Sequence, residues 1–320
     1  MISLIVPVLN EEEAIPFFYE ALQPVLADGQ YEFEIIFVDD GSADRTLAVI
    51  AGLNARDRRV KGIELSRNYG KELALAAGFR AASGDAVIPM DVDLQDPPEL
   101  IPAFLQKWKE GYDVVLGVRR QRRADTWFKR FTAGCFYHFF NRICGKSLVP
   151  NAGDFRLMNR AAVDALNSLP ERVRFTKGIY AWIGFKQAYV EYDRPIRVAG
   201  HSKWNTWKLW NFALDGITSF STLPLRVWSY LGACVALVGF GYAAWLVLRT
   251  LIWGVDVPGY TSLMVVSLCL GGLILVSLGV VGEYLGRIFE EVKDRPLYIE
   301  RSRLGFSTSP VRDEAKEVHS

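Results

Sequence analysis

The chain has 320 residues and a formal net charge of only +1, because 37 Lys and Arg are balanced by 36 Asp and Glu. This balance argues against a general nucleic-acid-binding protein. Half of the residues are hydrophobic although 23% are charged, which indicates that the apolar residues are concentrated in one part of the chain. We therefore expect a chain that is partly soluble and partly embedded in a membrane.

Short apolar runs alternate with helical patterns along the N-terminal part of the chain. Strands are predicted at 3–7, 33–38, 61–65, 86–90 and 113–117, and helices at 12–26, 44–56, 71–82 and 97–110. Continuous Val- and Ile-rich strands in this order predict a mostly parallel sheet with helices on both faces. Ligands of such sheets bind at the carboxyl ends of the strands.

Polar clusters follow three of these strands, at 7–12, 38–42 and 90–95. In the third cluster, Asp91 and Asp93 would share one face of an extended segment. Two close carboxylates repel unless one is protonated or a cation lies between them. A hard divalent cation resolves this conflict, and Gln95 could add a carbonyl oxygen. The alternative is a solvated acidic turn.

Other residues near these clusters fit structural roles. Asp96 and Glu99 fit a capping box at the start of the fourth helix, and Asp44 fits a helix cap. Gly41 fits a tight turn. The sequence has neither a G-x-x-x-x-G-K-[ST] motif nor a G-x-G-x-x-G motif after the first strand. A nucleotide would therefore be held by carboxylates, backbone and metal.

Two uncharged runs, 227–248 and 257–282, are long enough to cross a bilayer. Their short connection predicts a hairpin, and its outer ends carry more basic residues than the loop, which places both termini in the cytoplasm. Aromatic and basic residues mix in 125–144 and 207–226, as in helices that lie in the headgroup layer. Ordinary amphipathic helices packed on their own domain are the alternative for these two segments.

Three motifs occur in order: S-R-N-Y-G-K at 66–71, D-V-D-L-Q-D-P-P-E at 91–99 and A-G-D-F-R-L-M at 152–158. Together with the two apolar spans, they resemble the polyprenyl-phosphate glycosyltransferases, which are family 2 enzymes of GT-A fold. The resemblance is strongest to bactoprenol glucosyltransferases and extends to dolichyl-phosphate mannose synthases. It implies a GT-A catalytic domain over 1–206 and a cytoplasmic juxtamembrane segment and tail over 283–320.

The implied reaction transfers one hexose to undecaprenyl phosphate on the cytoplasmic face of the inner membrane, with inversion at the anomeric carbon. The implied donor is UDP-glucose, and the implied cofactor is Mg²⁺ or Mn²⁺. Because a phosphomonoester oxygen is already anionic near neutral pH, a strong general base is not essential. Two alternatives stay open: a mannose- or aminoarabinose-type donor, and a non-catalytic membrane scaffold that binds a nucleotide-sugar. Glycines in the spans permit a homo-oligomer.

The resemblance also implies roles for individual residues. Around the nucleotide and the donor it places Pro7, Leu9, Glu11, Asp39, Lys71 and Asp91. As metal ligands it implies Asp91, Asp93 and Gln95. At the acceptor phosphate it implies Arg119, with Lys129 and Arg130 as helpers. The 200–204 segment resembles the family's mobile loop, in which Ser202 and Lys203 would close over the donor phosphates; anchoring of Trp204 at the membrane surface is the alternative. Asp154 resembles the family's catalytic base, but a residue that orients Arg156 or another cation, or a purely structural residue, is an equal alternative.

Overall fold

The computed structural model describes residues 1–27, 29–120, 149, 151–169, 171, 176–193, 223–253 and 259–306. The strands are β1 Ile2–Val8, β2 Phe33–Asp39, β3 Val60–Leu65, β4 Ala86–Pro89, β5 Val114–Arg119, β6 Ala152–Asn159, β7 Gln187–Tyr192 and β8 Glu300–Leu304. The helices are α1 Ala14–Leu26, α2 Thr46–Arg56, α3 Lys71–Ala81, α4 Ile101–Lys109, α5 Arg160–Ser168, α6 Thr176–Trp182, α7 Leu223–Trp253 and α8 Tyr260–Val292. A 3₁₀ turn, Pro98–Leu100, precedes α4.

All eight strands form one sheet in the order β7-β5-β6-β4-β1-β2-β3-β8. The pairs β1/β2, β1/β4, β2/β3 and β5/β7 are parallel, and the pairs that involve β6 or β8 are antiparallel. The predicted mostly parallel α/β sheet is therefore confirmed, and each predicted strand and helix of this domain is present with slightly shifted ends. The sequence patterns gave no sign of β6, β7 and β8.

The central strands are buried on both faces of the sheet, which explains their uninterrupted apolar sequence. Successive residues point to opposite sides, so Leu4 and Phe37 pack in one core cluster with α1 and α4. Ile5 and Ile36 pack in a second cluster with α3 and α5. These two cores fix the strands, and hence the loops at their carboxyl ends.

The helices α7 and α8 follow the sheet domain and expose large hydrophobic side chains along their length. Among the described residues, one helical stretch is long and apolar enough to cross a bilayer, Leu270–Val292. It has 23 residues and a mean hydropathy of 1.5, and none of its apolar window is buried inside the protein. A shorter apolar stretch, Tyr230–Tyr242, lies in α7. Helix α7 begins inside the segment predicted to be interfacial, 207–226, most of which lies outside the described residues together with 125–144.

After α8 the chain returns to the sheet, where β8 pairs antiparallel with β3. The Ser302 hydroxyl donates to Glu64 at 2.7 Å, and the Arg301 guanidinium lies 3.3 Å from the same carboxylate. Just before β8, the carbonyl of Ile299 accepts the backbone N–H of Ser66 at 2.9 Å. Part of the predicted juxtamembrane tail is thus an edge strand, whose charged side chains are typical of an exposed sheet edge.

Candidate active site

The loops after β1 and β2 are joined by hydrogen bonds at the carboxyl edge of the sheet. The backbone N–H of Asn10 donates to the Ser42 hydroxyl, and the Asn10 side chain accepts the backbone N–H of Ala43, both at 2.8 Å. The N–H of Glu11 donates to the Thr46 hydroxyl at 2.9 Å. This edge brings together four residues predicted to surround the nucleotide: Pro7, Leu9, Glu11 and Asp39.

Two adjacent carboxylates end β2, and both are buried. Asp39 accepts the Ser42 backbone N–H at 3.0 Å and its hydroxyl at 2.5 Å, and burial raises the pKa of Asp39. Asp40 accepts the backbone N–H groups of Tyr69 and Gly70 at 2.7 and 2.8 Å. Asp40 therefore fixes the backbone just before Lys71, near the end of the 66–71 motif, a role that the sequence patterns did not indicate.

The turn after Asp40 leaves no room for a side chain. Gly41 has φ +76°, and an added Cβ would lie 2.7 Å from the carbonyl carbon of Arg67. The predicted tight turn at Gly41 is thus confirmed, because only glycine adopts this conformation at so close an approach.

Lys71, the first residue of α3, joins two strands at the centre of this edge. Its Nζ lies 2.7 Å from Oδ1 of Asp91 and 2.8 Å from Oδ2 of Asp154. Burial lowers the pKa of Lys71, but the carboxylates of Asp154 and Asp91 raise it by more, so the ammonium stays charged. The Lys71 side chain as a whole is 41% exposed, so it lies at the open side of this sheet edge.

The strand β4 ends at Pro89, so the acidic motif at 91–95 lies beyond the strand, and it forms a turn. This differs from the extended geometry expected for Asp91 and Asp93, yet Val92 is buried between them while both carboxylates remain partly exposed. Oδ1 of Asp93 accepts the backbone N–H of Gln95 at 3.1 Å. The described residues contain no group of three or more His, Cys, Asp or Glu suited to a metal.

Two carboxylates, those of Asp91 and Asp93, are still enough for a Mg²⁺ or Mn²⁺ site. Such ions are commonly held by one or two carboxylates together with water and substrate phosphates. Asp91 and Asp93 supply two carboxylates at the edge where a nucleotide diphosphate would lie. We therefore expect tight ion binding to need the phosphates of the donor.

Arg119, at the end of β5, is held by two residues that the sequence reasoning had not linked to it. Its Nε donates to the Tyr192 hydroxyl at 3.0 Å, and its Nη2 lies 3.4 Å from Oδ1 of Asp96. The Tyr192 hydroxyl donates to the same Asp96 oxygen at 2.8 Å. An added Cβ on Gly153 would lie 3.0 Å from Nη2, so the guanidinium packs against the backbone beside Asp154.

The capping-box prediction for Asp96 and Glu99 is wrong. The 3₁₀ turn starts after Pro97, without a side-chain cap, and Asp96 is buried against Arg119 and Tyr192. The physical reason is that a buried carboxylate gains more from a charged donor than from a single backbone N–H. By contrast, Asp44 does accept the backbone N–H of Thr46 at the start of α2, at 3.0 Å.

Arg156 is a buried residue of β6, two positions after Asp154. Its Nη2 donates to the carbonyl of Gly153 at 2.6 Å, and its guanidinium lies 3.7 Å from the centre of the Tyr180 ring. These contacts hold the backbone on the N-terminal side of Asp154. The ion pair of Asp154 is with Lys71, which favours the hypothesis that this carboxylate orients another cation.

Four predicted residues lie outside the described residues: Lys129, Arg130, Ser202 and Lys203. The remaining predicted residues, from Pro7 to Asp154, lie on the loops and strand ends of one sheet edge. Asp39 joins this edge through its loop, and Arg119 lies beside Asp154.

Carboxylates, a lysine and an arginine gather at the carboxyl ends of the strands, which is where open α/β sheets bind their ligands. Residues 3–166 match the family model described as glycosyl transferase family 2. Residues 223–288 match a second model, described as the GtrB C-terminal hairpin. The chain belongs to glycosyl transferase family 2 and is a glycosyltransferase.

Similar proteins span nearly the same length. An uncharacterised glycosyltransferase of Synechocystis is 52% identical, covering 97% of this chain and 98% of the relative. The SfII prophage-derived bactoprenol glucosyl transferase of Shigella flexneri is 53% identical, covering 93% and 96%. A prophage bactoprenol glucosyl transferase homologue of Escherichia coli is 51% identical, covering 93% and 97%. Glucosyl-3-phosphoglycerate synthase from Mycobacterium tuberculosis gives a TM-score of 0.47 at 22% identity, covering 68% and 76%.

Proposed function

We propose that this glycosyltransferase moves glucose from UDP-glucose to undecaprenyl phosphate at the cytoplasmic face of the membrane, with inversion at the anomeric carbon. The observation that carries the proposal is the 51–53% identity to bactoprenol glucosyl transferases over 93% of the chain. This similarity includes the C-terminal helices, which would hold the enzyme at the membrane that contains a lipid acceptor. The sugar rests on the relatives alone, since hexose discrimination depends on a few hydrogen bonds.

The charges at the sheet edge suit this reaction. The bond between the anomeric carbon and the donor diphosphate breaks, and a bond to an oxygen of the acceptor phosphate forms, which yields UDP and a lipid-linked glucose. The acceptor oxygen is anionic near neutral pH, so positioning and charge neutralisation supply most of the catalysis. Lys71 provides a fixed positive charge near the donor, and Arg119 binds the acceptor phosphate.

A divalent cation, Mg²⁺ or Mn²⁺, belongs to the proposal. Asp91 and Asp93 would hold it, with Gln95 as a third ligand, and it would neutralise charge on the departing diphosphate. Asp154 keeps Lys71 in place through the 2.8 Å ion pair. We assign this carboxylate an orienting role, since the acceptor needs no proton removed.

The proposed membrane arrangement rests on the same relatives. Helices α7 and α8 would both cross the inner membrane, with the sheet domain and the C-terminus in the cytoplasm. The apolar stretch Leu270–Val292 and the exposed hydrophobic surface of both helices support this topology. Assembly into a homo-oligomer stays a prediction from the glycines of the two helices.

The test uses the full chain purified in detergent, with labelled UDP-glucose and undecaprenyl phosphate. We expect label to move into the organic phase with Mg²⁺ or Mn²⁺, and this transfer to stop with EDTA and in Asp93→Ala. Transfer from a mannose- or aminoarabinose-type donor in place of UDP-glucose would change the sugar that we assign to the reaction. Failure of every donor despite nucleotide binding would favour a non-catalytic scaffold.

A further inference from the structure

Tyr192 and Asp96 enclose one side of the Arg119 guanidinium. The Tyr192 hydroxyl accepts from Nε of Arg119 and donates to Oδ1 of Asp96, and the same Asp96 oxygen faces Nη2. The Asp96 and Tyr192 residues are only 2% and 5% exposed, whereas the Arg119 side chain is 27% exposed. Two buried residues therefore hold a cation whose own side chain is partly exposed.

The direction of these contacts matters for a phosphate ligand. Nε and one Nη–H lie on one edge of a guanidinium, and the two Nη groups form another edge. Within the described part of the chain, Tyr192 and Asp96 engage the Nε side. The edge formed by Nη1 and Nη2 is then presented for the paired hydrogen bonds that a phosphate accepts.

The ring of Tyr192 is itself fixed by packing. It meets the buried Phe155 ring edge to face, with 6.0 Å between the ring centres. Phe155 precedes Arg156 on β6 and follows Asp154, so the same strand carries the ion pair to Lys71 and the support for Tyr192. The hydroxyl thus has a set position relative to Arg119.

We infer that Tyr192, with Asp96, is a positioning residue that orients Arg119 for the phosphate of the lipid acceptor. This inference rests on the proposed function, because it requires Arg119 to bind that phosphate. Removing the hydroxyl frees the guanidinium to rotate and weakens acceptor binding, but leaves Lys71 and the donor side untouched.

The test measures steady-state transfer by the full chain in detergent, titrating undecaprenyl phosphate and UDP-glucose separately. Tyr192→Phe keeps the ring and is expected to raise the acceptor KM about 3- to 10-fold, the loss of roughly one hydrogen bond, while the donor KM and kcat change less than about twofold. Tyr189→Phe is the matched control, because Tyr189 lies on the same strand with its side chain exposed.

A double-mutant cycle separates positioning from general damage. In an Arg119→Lys background, Tyr192→Phe is expected to cause no further rise in the acceptor KM, because its effect passes through the guanidinium. If Tyr192→Phe melts below the assay temperature, Asp96→Asn replaces it, and its effect on the acceptor KM must likewise disappear in the Arg119→Lys background.

Contrary results are distinguishable from failure of the proposed function. Normal wild-type transfer with an unchanged acceptor KM in Tyr192→Phe would overturn the role of Tyr192. So would donor and acceptor KM values that rise together, or effects that multiply with Arg119→Lys. Absence of transfer by the wild-type chain would contradict the proposed function and the inference that rests on it.

Discussion

The orienting role proposed for Asp154 rests on its contact with Lys71. Its carboxylate is 2.8 Å from Nζ of Lys71, whose charge it shares with Asp91. A carboxylate that only orients a lysine is kept ionised by that neighbouring charge and gives the rate no acid limb near neutral pH, whereas a catalytic base with a pKa near the working pH does. The contact therefore leads to a prediction about pH.

Asp154→Asn is expected to lower kcat by about 10- to 100-fold while leaving the shape of the pH–rate profile unchanged, because it weakens an electrostatic support without removing a proton acceptor. The measurement is the transfer rate from about pH 5.5 to 9 for both proteins. An acid limb present in the wild-type chain and missing from Asp154→Asn would instead assign the carboxylate as the base.

Local patterns were a poor guide to single residues whose partners are distant in sequence. D-P-P-E has the local form of a helix cap, but Asp96 is bound by Arg119 and Tyr192, which lie 23 and 96 positions away. Nothing in the local sequence indicates such partners. The pairing of Lys71 with Asp154 was equally invisible, although the resemblance placed both residues in the site.

At the scale of secondary structure, Glu34 ties the amino-terminal ends of three strands together. Its carboxylate accepts Lys61 Nζ at 2.6 Å, the Ser3 hydroxyl at 2.5 Å and the Ser83 backbone N–H at 2.7 Å. Burial raises the pKa of Glu34, but the bonds from Lys61 and Ser3 lower it by more, so it lies below the usual 4.5. The stabilisation is therefore present above pH 4.5 and is lost as the pH falls through the lowered pKa.

Glu34→Gln is expected to cost about 1–3 kcal/mol of unfolding free energy at neutral pH, because a buried charged acceptor is lost. The difference in melting temperature between Glu34→Gln and the wild-type chain should shrink as the pH falls below 4.5 and through the lowered pKa of the native Glu34 carboxyl. Thermal melts of the full chain in detergent measure both effects, with exposed Glu99→Gln as the control. A gap that stays constant through acid pH would show that the charge of Glu34 contributes nothing.

The strand β8 supports the segment that leads to Lys71. Ile299 accepts the backbone N–H of Ser66, at the start of the 66–71 motif, and β8 covers the edge of β3. A chain that ends after Lys293 is expected to melt several degrees lower and to lose transfer activity, since an edge strand and this contact are removed. The matched control ends after Phe306 and keeps the whole strand. Equal melting temperatures for the two truncations would contradict this role.

The strands that are buried on both faces were the ones that their sequence patterns predicted. Strands β1 to β5 have apolar runs because their neighbours cover them, and their patterns predicted them correctly. In β6 the run is interrupted by Asp154 and Arg156, and β8 reads E-R-S-R-L, with the alternating charges of an exposed edge. The antiparallel position of β6 between β4 and β5 is determined by tertiary structure, and the sequence pattern of a single strand does not indicate it.

At the scale of the whole molecule, one chain joins two long apolar helices, the proposed membrane anchor, to a charged sheet edge. Composition indicated this division, since the apolar excess lies in α7 and α8. The 293–299 segment links α8 directly to the strand beside the Lys71 motif. An acceptor that lies in the bilayer can thus meet a donor bound from the cytosol, which is the central claim of the proposed function.

The most direct test of that claim compares two lysine variants in the lipid-transfer assay. Lys71 and Lys107 have similar side-chain exposures, 41% and 39%, and each pairs with a carboxylate. The ion pair of Lys107 is with Glu110, which directly follows the end of the same helix. We predict that Lys71→Met loses about 100-fold or more in transfer of glucose to undecaprenyl phosphate, as expected for a fixed charge at the reacting groups, and that Lys107→Met retains wild-type transfer. Equal transfer by the two variants would contradict the assignment of this sheet edge as the active site.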